Sequence, residues 1–459
     1  MRTRSSSRLV GLVLSFVLVA SIVIGAQVPR TQLLALPPNL SSKCKRVGSI
    51  RITSSGRQIC SLRQGIKIWV PFKSPTSSPT PIQIPPSTTV PINVENLVSP
   101  ASCRLADPNA AQTGLSIGFP RVSHRLKSTG EIRIGVVFVD FPDSIATRTT
   151  SSVFSLFSPG AEERFRDISY GKANFVLIPL HKWIRMGNPS STYLLERRNL
   201  NFIHEFNFIN EALAKASNQL DWQTIDGFLV ISNPDTELID VGPAFTANHP
   251  YWAERGTGYG LMNGARSGAD ILRWPSGWVN HELGHAMGLL DLYAYVDLLY
   301  PNSFHRFVGW FSMMGNAVQG SGAPEYFGWE RWSLGWIDDS QVGCLKSGTV
   351  TIDIDPIEQP GGTKMLVVPL GDHRALVIES RRKLGHDAML LKEGVLVYLV
   401  DLSVASGMGA IRVLPINDND SSKLQNILQV GETLSYSDVK VSVNSSSTGG
   451  DRVTVTSGN

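Results

Sequence analysis

The sequence predicts an α+β chain: a small N-terminal β module, a central part in which strands and helices alternate, and a C-terminal β-sandwich-like domain. Three observations predict it. Residues 132–138 and 227–231 read as buried strands, with the helical periodicity of Phe202–Ala216 between them. From about Gly348 the pattern changes to short alternating strands, such as residues 349–354 and 439–443, separated by Gly, Asn, Asp and Ser turns. A basic β module and a Pro/Ser/Thr-rich stretch precede both parts.

The chain begins with Arg2, Arg4 and Arg8 and continues as an apolar run over residues 9–23, closing on Ile24-Gly25-Ala26. Residues 1–26 read as a secretory signal peptide with cleavage after Ala26, which predicts a secreted or cell-surface protein. An uncleaved anchor is the alternative, because the run approaches the length of a membrane span. The formal net charge is +4, or +1 once Arg2, Arg4 and Arg8 leave with the leader. That excludes nucleic acid as an expected partner, and nothing in the sequence argues against a monomer.

Residues 41–70 form the small β module, with strands expected at 49–53 and 66–70. It is too short for a self-sufficient core, so a Cys44 to Cys60 disulfide is expected to staple it. Between Gln27 and Asn93 there is no Asp or Glu while nine Lys and Arg occur; adhesion to an anionic cell-envelope polymer and a merely solvated basic surface are the two readings. Residues 71–100 are expected to be an extended linker, since their composition buries too little apolar surface to fold.

Residues 101–345 are the expected catalytic part, and they contain His281-Glu282-Leu283-Gly284-His285. On a helix, residues four apart share a face, so His281 and His285 reach one ion and Glu282 reaches water held beside it without being a ligand. Zinc is the expected metal, since it takes two imidazoles and a third ligand and leaves a position open for water. A closed structural zinc site, usually with four protein ligands, is the competing reading. Gly288, three residues on, can take a left-handed backbone, end the helix and turn the chain back, which makes Asp291 the expected third ligand. Glu325 and Glu330 are alternatives for that role. With 9 histidines in 459 residues, H-E-x-x-H by chance is expected in roughly one such chain in a hundred.

Met314, followed by Gly315, resembles the methionine turn that floors the metal in metzincin peptidases; ordinary core packing is the alternative. The stretch H-E-L-G-H-A-M-G-L-L-D-L-Y over residues 281–293 resembles the immune inhibitor A-like metallopeptidases, which carry H-E-x-x-H-x-x-G-L-x-D-x-Y. The likeness extends upstream to residues 137–143 and 168–172, and downstream to 327–336 and 396–401, so it covers about residues 130–402. It implies a zincin-type fold for the catalytic part, zinc on His281, His285 and Asp291, and Glu282 as general base in peptide-bond hydrolysis by metal-activated water. It also admits structural calcium, although no D-x-D-x-D-G loop is present. A departure is Asn316, where some relatives with the methionine turn carry a tyrosine; Tyr293 and Tyr326 are the candidates for an auxiliary hydroxyl.

A protein or peptide substrate is the expected partner, and residues 259–263 are expected to form an edge strand that pairs with it. Cys103 is expected to pair with Cys344, since an even cysteine count in an exported chain argues against a free thiol acting as a zinc latch. The competing function is a catalytically silent surface or adhesion protein that keeps the fold.

Overall fold

The computed structural model describes residues 50–53, 56–63, 66–71, 90–195, 201–240, 242–248, 261–295, 304–315, 324–416 and 426–458. The chain divides into two compact units, Met1–Ser87 and Thr88–Asn459. In the first, β1 (Ile50–Thr53), β2 (Gly56–Arg63) and β3 (Ile66–Pro71) form an antiparallel meander in the order β1-β2-β3. The two strands expected at 49–53 and 66–70 are its outer strands. The signal segment, Cys44 and the side chain of Cys60 lie outside the described residues, so the expected staple does too.

The second unit starts earlier than the sequence suggested. Residues 90–100, read as the end of the linker, run along the C-terminal β part: Asn93 exchanges backbone hydrogen bonds with Thr351, and Val98 donates to Cys344. Backbone pairing orders this stretch, and composition does not report such pairing. A short helix, α1 (Ala110–Thr113), follows.

The central layer is a five-stranded sheet of β4 (Gly130–Asp140), β5 (Ala173–Arg185), β6 (Gly227–Ser232), β7 (Ala244–Asn248) and β8 (Leu261–Arg266), in the order β5-β4-β6-β8-β7. Four strands are parallel and β7 runs antiparallel along the β8 edge. Because side chains alternate between faces, Ile132, Ile134, Val136 and Phe138 enter one core while Val137 and Val139 enter the other. A strand buried on both faces reads as a continuous apolar run, which is why 132–138 was legible.

Helices α2 (Thr150–Phe154), α3 (Gly160–Ile168), α4 (Phe202–Ala216) and α5 (Pro275–Ala286) accompany the sheet. The Asn201 side chain caps α4 by accepting from the Ile203 N–H at 2.9 Å, and its apolar stripe, Phe208, Ile209, Ala212, Leu213 and Ala216, covers one face. On the other face α3 and α5 bury Phe165, Ile168, Trp278, Val279 and Leu283 in the larger core.

Next come α6 (Gly328–Ser333), β9 (Val342–Cys344), β10 (Gly348–Ile354), β11 (Met365–Pro369), β12 (Arg374–Arg381), β13 (Gly394–Asp401), β14 (Ile411–Val413), β15 (Thr433–Tyr436), β16 (Val439–Ser447) and β17 (Gly450–Ser457). They form a five-stranded sheet, β14-β13-β12-β11-β9, and a four-stranded sheet, β10-β17-β16-β15. Leu376, Ile378, Val395 and Val397 share a core with Val441, Val443, Val453 and Val455 of the second sheet, so the two sheets pack face to face. The alternate residues Val377, Leu396, Tyr398 and Val400 face the larger core that also holds α5. The β part therefore has no separate boundary near residue 346; one of its sheets is a wall of the central core. Among the described residues no helix is long and apolar enough to cross a membrane.

Cys103 and Cys344 form a disulfide that closes a loop of 241 residues across this unit, as paired in the sequence reading, so Cys103 is no zinc latch. Closing a long loop limits the unfolded chain. Replacing both cysteines by serine is expected to lower unfolding free energy by about 2–5 kcal/mol, read by denaturant titration.

Candidate metal centre

Helix α5 carries His281, Glu282 and His285. Proline at its first position suits a helix start, and from Trp278 onward every residue but His285 is buried. Trp278 Nε1 donates to Gly242 O at 2.8 Å, Asn280 Nδ2 to Ala161 O at 2.9 Å, and Tyr326 hydroxyl to Asn280 O at 2.8 Å. Gly284 is required by close approach: a Cβ there would stand 2.8 Å from Met314 Sδ. Met314 thus lies directly against the helix between the two histidines, fully buried.

The helix ends as the sequence predicts. Gly288 takes φ +111°, Leu289 N–H donates to Gly284 O at 3.0 Å and Gly288 N–H to His285 O at 2.9 Å, the paired bonds of a Schellman cap. The turn brings Asp291 back: its Oδ1 stands 3.1 Å from both His281 Nε2 and His285 Nε2, which are 3.2 Å from each other. These three residues are the one group of at least three potential ligands that converge among the described residues.

The tautomers follow from the far side of each ring. His281 Nδ1 faces Met313 O at 3.0 Å, and His285 Nδ1 faces Leu289 O at 2.8 Å. A carbonyl only accepts, so each Nδ1 carries a proton and each ring turns its Nε2 inward. Two imidazole nitrogens and a carboxylate oxygen then converge on one point, where all three can serve as ligands of one cation. Ligand atoms around a tetrahedral zinc with bonds of about 2.0–2.1 Å stand about 3.3–3.4 Å apart, close to the observed spacing. The donor set, two nitrogens and one oxygen, also suits zinc.

Burial would raise the Asp291 carboxyl pKa, but the facing imidazoles hold it well below the carboxylate range. For His285, burial disfavours the charged ring, and Asp291 outweighs it and pushes the pKa up. Glu282 is buried at 8% exposure, and burial pushes its carboxyl up to about 8, against the opposing charge of His281 and with help from Asp291 and Asp270. Its Oε2 accepts from Ala244 N–H at 2.6 Å. Since Arg266 N–H donates to Pro243 O, Ala244 faces away from β8, towards the helix. Among the described strands the edge is therefore β7; residues 261–263, expected at the edge, lie inside the sheet on β8, and 259–260 lie outside the described residues. The sequence of β7, Ala-Phe-Thr-Ala-Asn, gives no periodicity signal that distinguishes an edge strand. A cleft of about 420 Å³ runs between β7 and the His281, His285 and Asp291 cluster.

Glu325 and Glu330 are not at this site. Glu325 pairs with the buried Arg331 guanidinium, and Glu330 accepts from Ser312 Oγ at 2.8 Å and Phe327 N–H at 2.9 Å. Both serve the packing of α6, near which Ser312 also accepts from Met314 N–H at 3.0 Å and fixes the turn at Met314. Tyr326 is likewise committed to Asn280 O. Tyr293 lines the cleft with its ring stacked 6.2 Å from that of His281, and burial followed by the Asp291 charge pushes its pKa far up, so it stays a donor.

The sequence reading missed Tyr295, Ser406 and Arg125. Tyr295 hydroxyl donates to Asp291 Oδ2 at 2.5 Å, and Ser406 Oγ accepts from Asp291 N–H at 2.9 Å, while Gly407 N–H donates to Asp291 O at 2.9 Å. Only the Asp291 to Tyr295 spacing was visible in sequence; Ser406 is 115 residues away. Tyr295→Phe is expected to weaken zinc about tenfold by freeing the carboxylate, measured by competition with a chromophoric chelator. Arg125 lines the cleft, and burial lowers its pKa.

The arrangement is a buried cluster of three side chains that could hold a metal ion, with a carboxylate next to it and a cleft over it. No protein-family model matches this chain, and no curated protein matches it.

Proposed function

We propose that this chain is an exported zinc-dependent endopeptidase of zincin type, with zinc held by His281, His285 and Asp291 and with Glu282 as general base. The observation that carries the reading is the convergence of two inward imidazole Nε2 atoms and one carboxylate oxygen at 3.1–3.2 Å beside a buried glutamate. Among the described residues three protein ligands converge there, which favours a catalytic over a structural site.

Zinc, when bound, acidifies water from a pKa of 15.7 to about 7 and polarises the scissile carbonyl. Glu282 takes the proton of the attacking water and delivers it to the leaving nitrogen. Its bond to Ala244 N–H orients the carboxylate, leaving the other oxygen for that proton. Thr246 lies two residues on, with the same facing as Ala244, so its N–H and C=O are available to pair with an extended peptide. Tyr293 supplies a protonated hydroxyl in the same cleft. Export rests on the leader sequence and is consistent with the Cys103–Cys344 disulfide.

The test is incubation of the purified protein with casein, with and without a zinc chelator, followed by zinc re-addition. Cleavage that the chelator stops and zinc restores is the expected result. Zinc binding with no cleavage under any activation condition would support the silent surface protein instead.

A further inference from the structure

The cleft beside the metal ligands contains a cation that the proposed chemistry does not use. Arg125 sits in the segment that wraps the end of α5: Leu126 N–H donates to Ala286 O at 2.9 Å, and Ser116 N–H to Gly288 O at 2.8 Å. Its Cγ lies 3.5 Å from the Cβ position of Gly288, between His285 and Asp291 in sequence. Among the described residues no carboxylate pairs with it. Its acceptors are neutral: Nε donates to Gly114 O at 2.5 Å, and Nη1 to Asn263 Oδ1 at 3.4 Å.

These bonds fix the guanidinium without neutralising it. Gly114, at φ +66°, leaves the room it needs, since a Cβ there would stand 2.8 Å from Nη2. The cleft carboxylates are committed elsewhere, Asp291 to the imidazoles and Tyr295, Glu282 to Ala244. Keeping a partly buried cation without a counter-charge costs stability unless an anion completes it, and a guanidinium presents a planar fork that matches a carboxylate.

We propose that Arg125 is a specificity-determining residue that receives a carboxylate of the peptide substrate near the scissile bond. The inference rests on the peptidase reading. The carboxylate belongs either to an acidic side chain or to the substrate's C-terminus, and the two are separable.

The experiment uses the full chain bearing Glu282→Gln and measures binding of fluorescent peptides by anisotropy. One pair compares Glu with Gln at each position flanking the cleavage site, both amidated; a second compares a free with an amidated C-terminus. The charged member of one pair is expected to bind about tenfold or more tighter. Arg125→Gln should bring that ratio to about one and Arg125→Lys should keep part of it. Ratios of one in both pairs with Arg125 present overturn the proposal, and this outcome needs no Arg125 variant to fold. Cleavage by the chain with Glu282 intact is measured in parallel. Equal cleavage of charged and neutral peptides sinks the inference and leaves the peptidase reading standing; peptides neither bound nor cleaved sink both.

Discussion

Glu282→Gln is expected to lower kcat by about 10²–10⁴-fold, the range for removing a positioned general base, while zinc content stays at the wild-type level. The amide is isosteric and keeps an oxygen able to accept from Ala244 N–H, so the 2.6 Å bond that orients the side chain survives. What is lost is proton affinity. A carboxylate oxygen takes up the proton of the attacking water, whereas a neutral amide does not. Zinc is retained because Glu282 is outside the His281, His285 and Asp291 cluster. The checks are initial rates on a quenched peptide and metal analysis of the same sample. A variant as fast as wild type removes Glu282 from the chemistry.

Asp291→Ala is expected to weaken zinc by roughly 10²–10³-fold, as one ligand's share of a zinc binding energy of about 10–16 kcal/mol. The loss should be local. The Asp291 backbone stays anchored, its N–H to Ser406 and its C=O to Gly407, and the Schellman cap before it does not involve its side chain. Circular dichroism should therefore match wild type while the metal is lost. Full zinc retention would require another third ligand, and Glu325 and Glu330 are excluded from that role by their bonds to Arg331 and to Ser312 and Phe327.

The metal helix was legible because its information is local. An i, i+4 histidine pair, a glycine at the cap and an aspartate three residues beyond are set by helix geometry alone, and the observed turn follows them. The strands at 132–138 and 227–231 and the helix Phe202–Ala216 were legible for the same reason, since burial on both faces or on one stripe leaves a periodic trace. What sequence did not reveal depends on long-range contact. Ser406 clamps Asp291 from a loop after β13, β7 becomes an edge only because β8 lies between it and β6, and residues 93–98 order against strands some 250 positions away. Glu325 and Glu330 looked like ligands because a carboxylate near a zinc motif carries no mark of the arginine or serine that already holds it.

The measurement that tests the central claim most directly is activity against zinc occupancy. The purified protein is stripped of metal, reloaded in steps, and assayed for bound zinc and peptide hydrolysis at each step. The account predicts a rate that rises in proportion to occupancy and levels at one zinc per chain. Hydrolysis that persists in the stripped protein, or none at full occupancy, would contradict it.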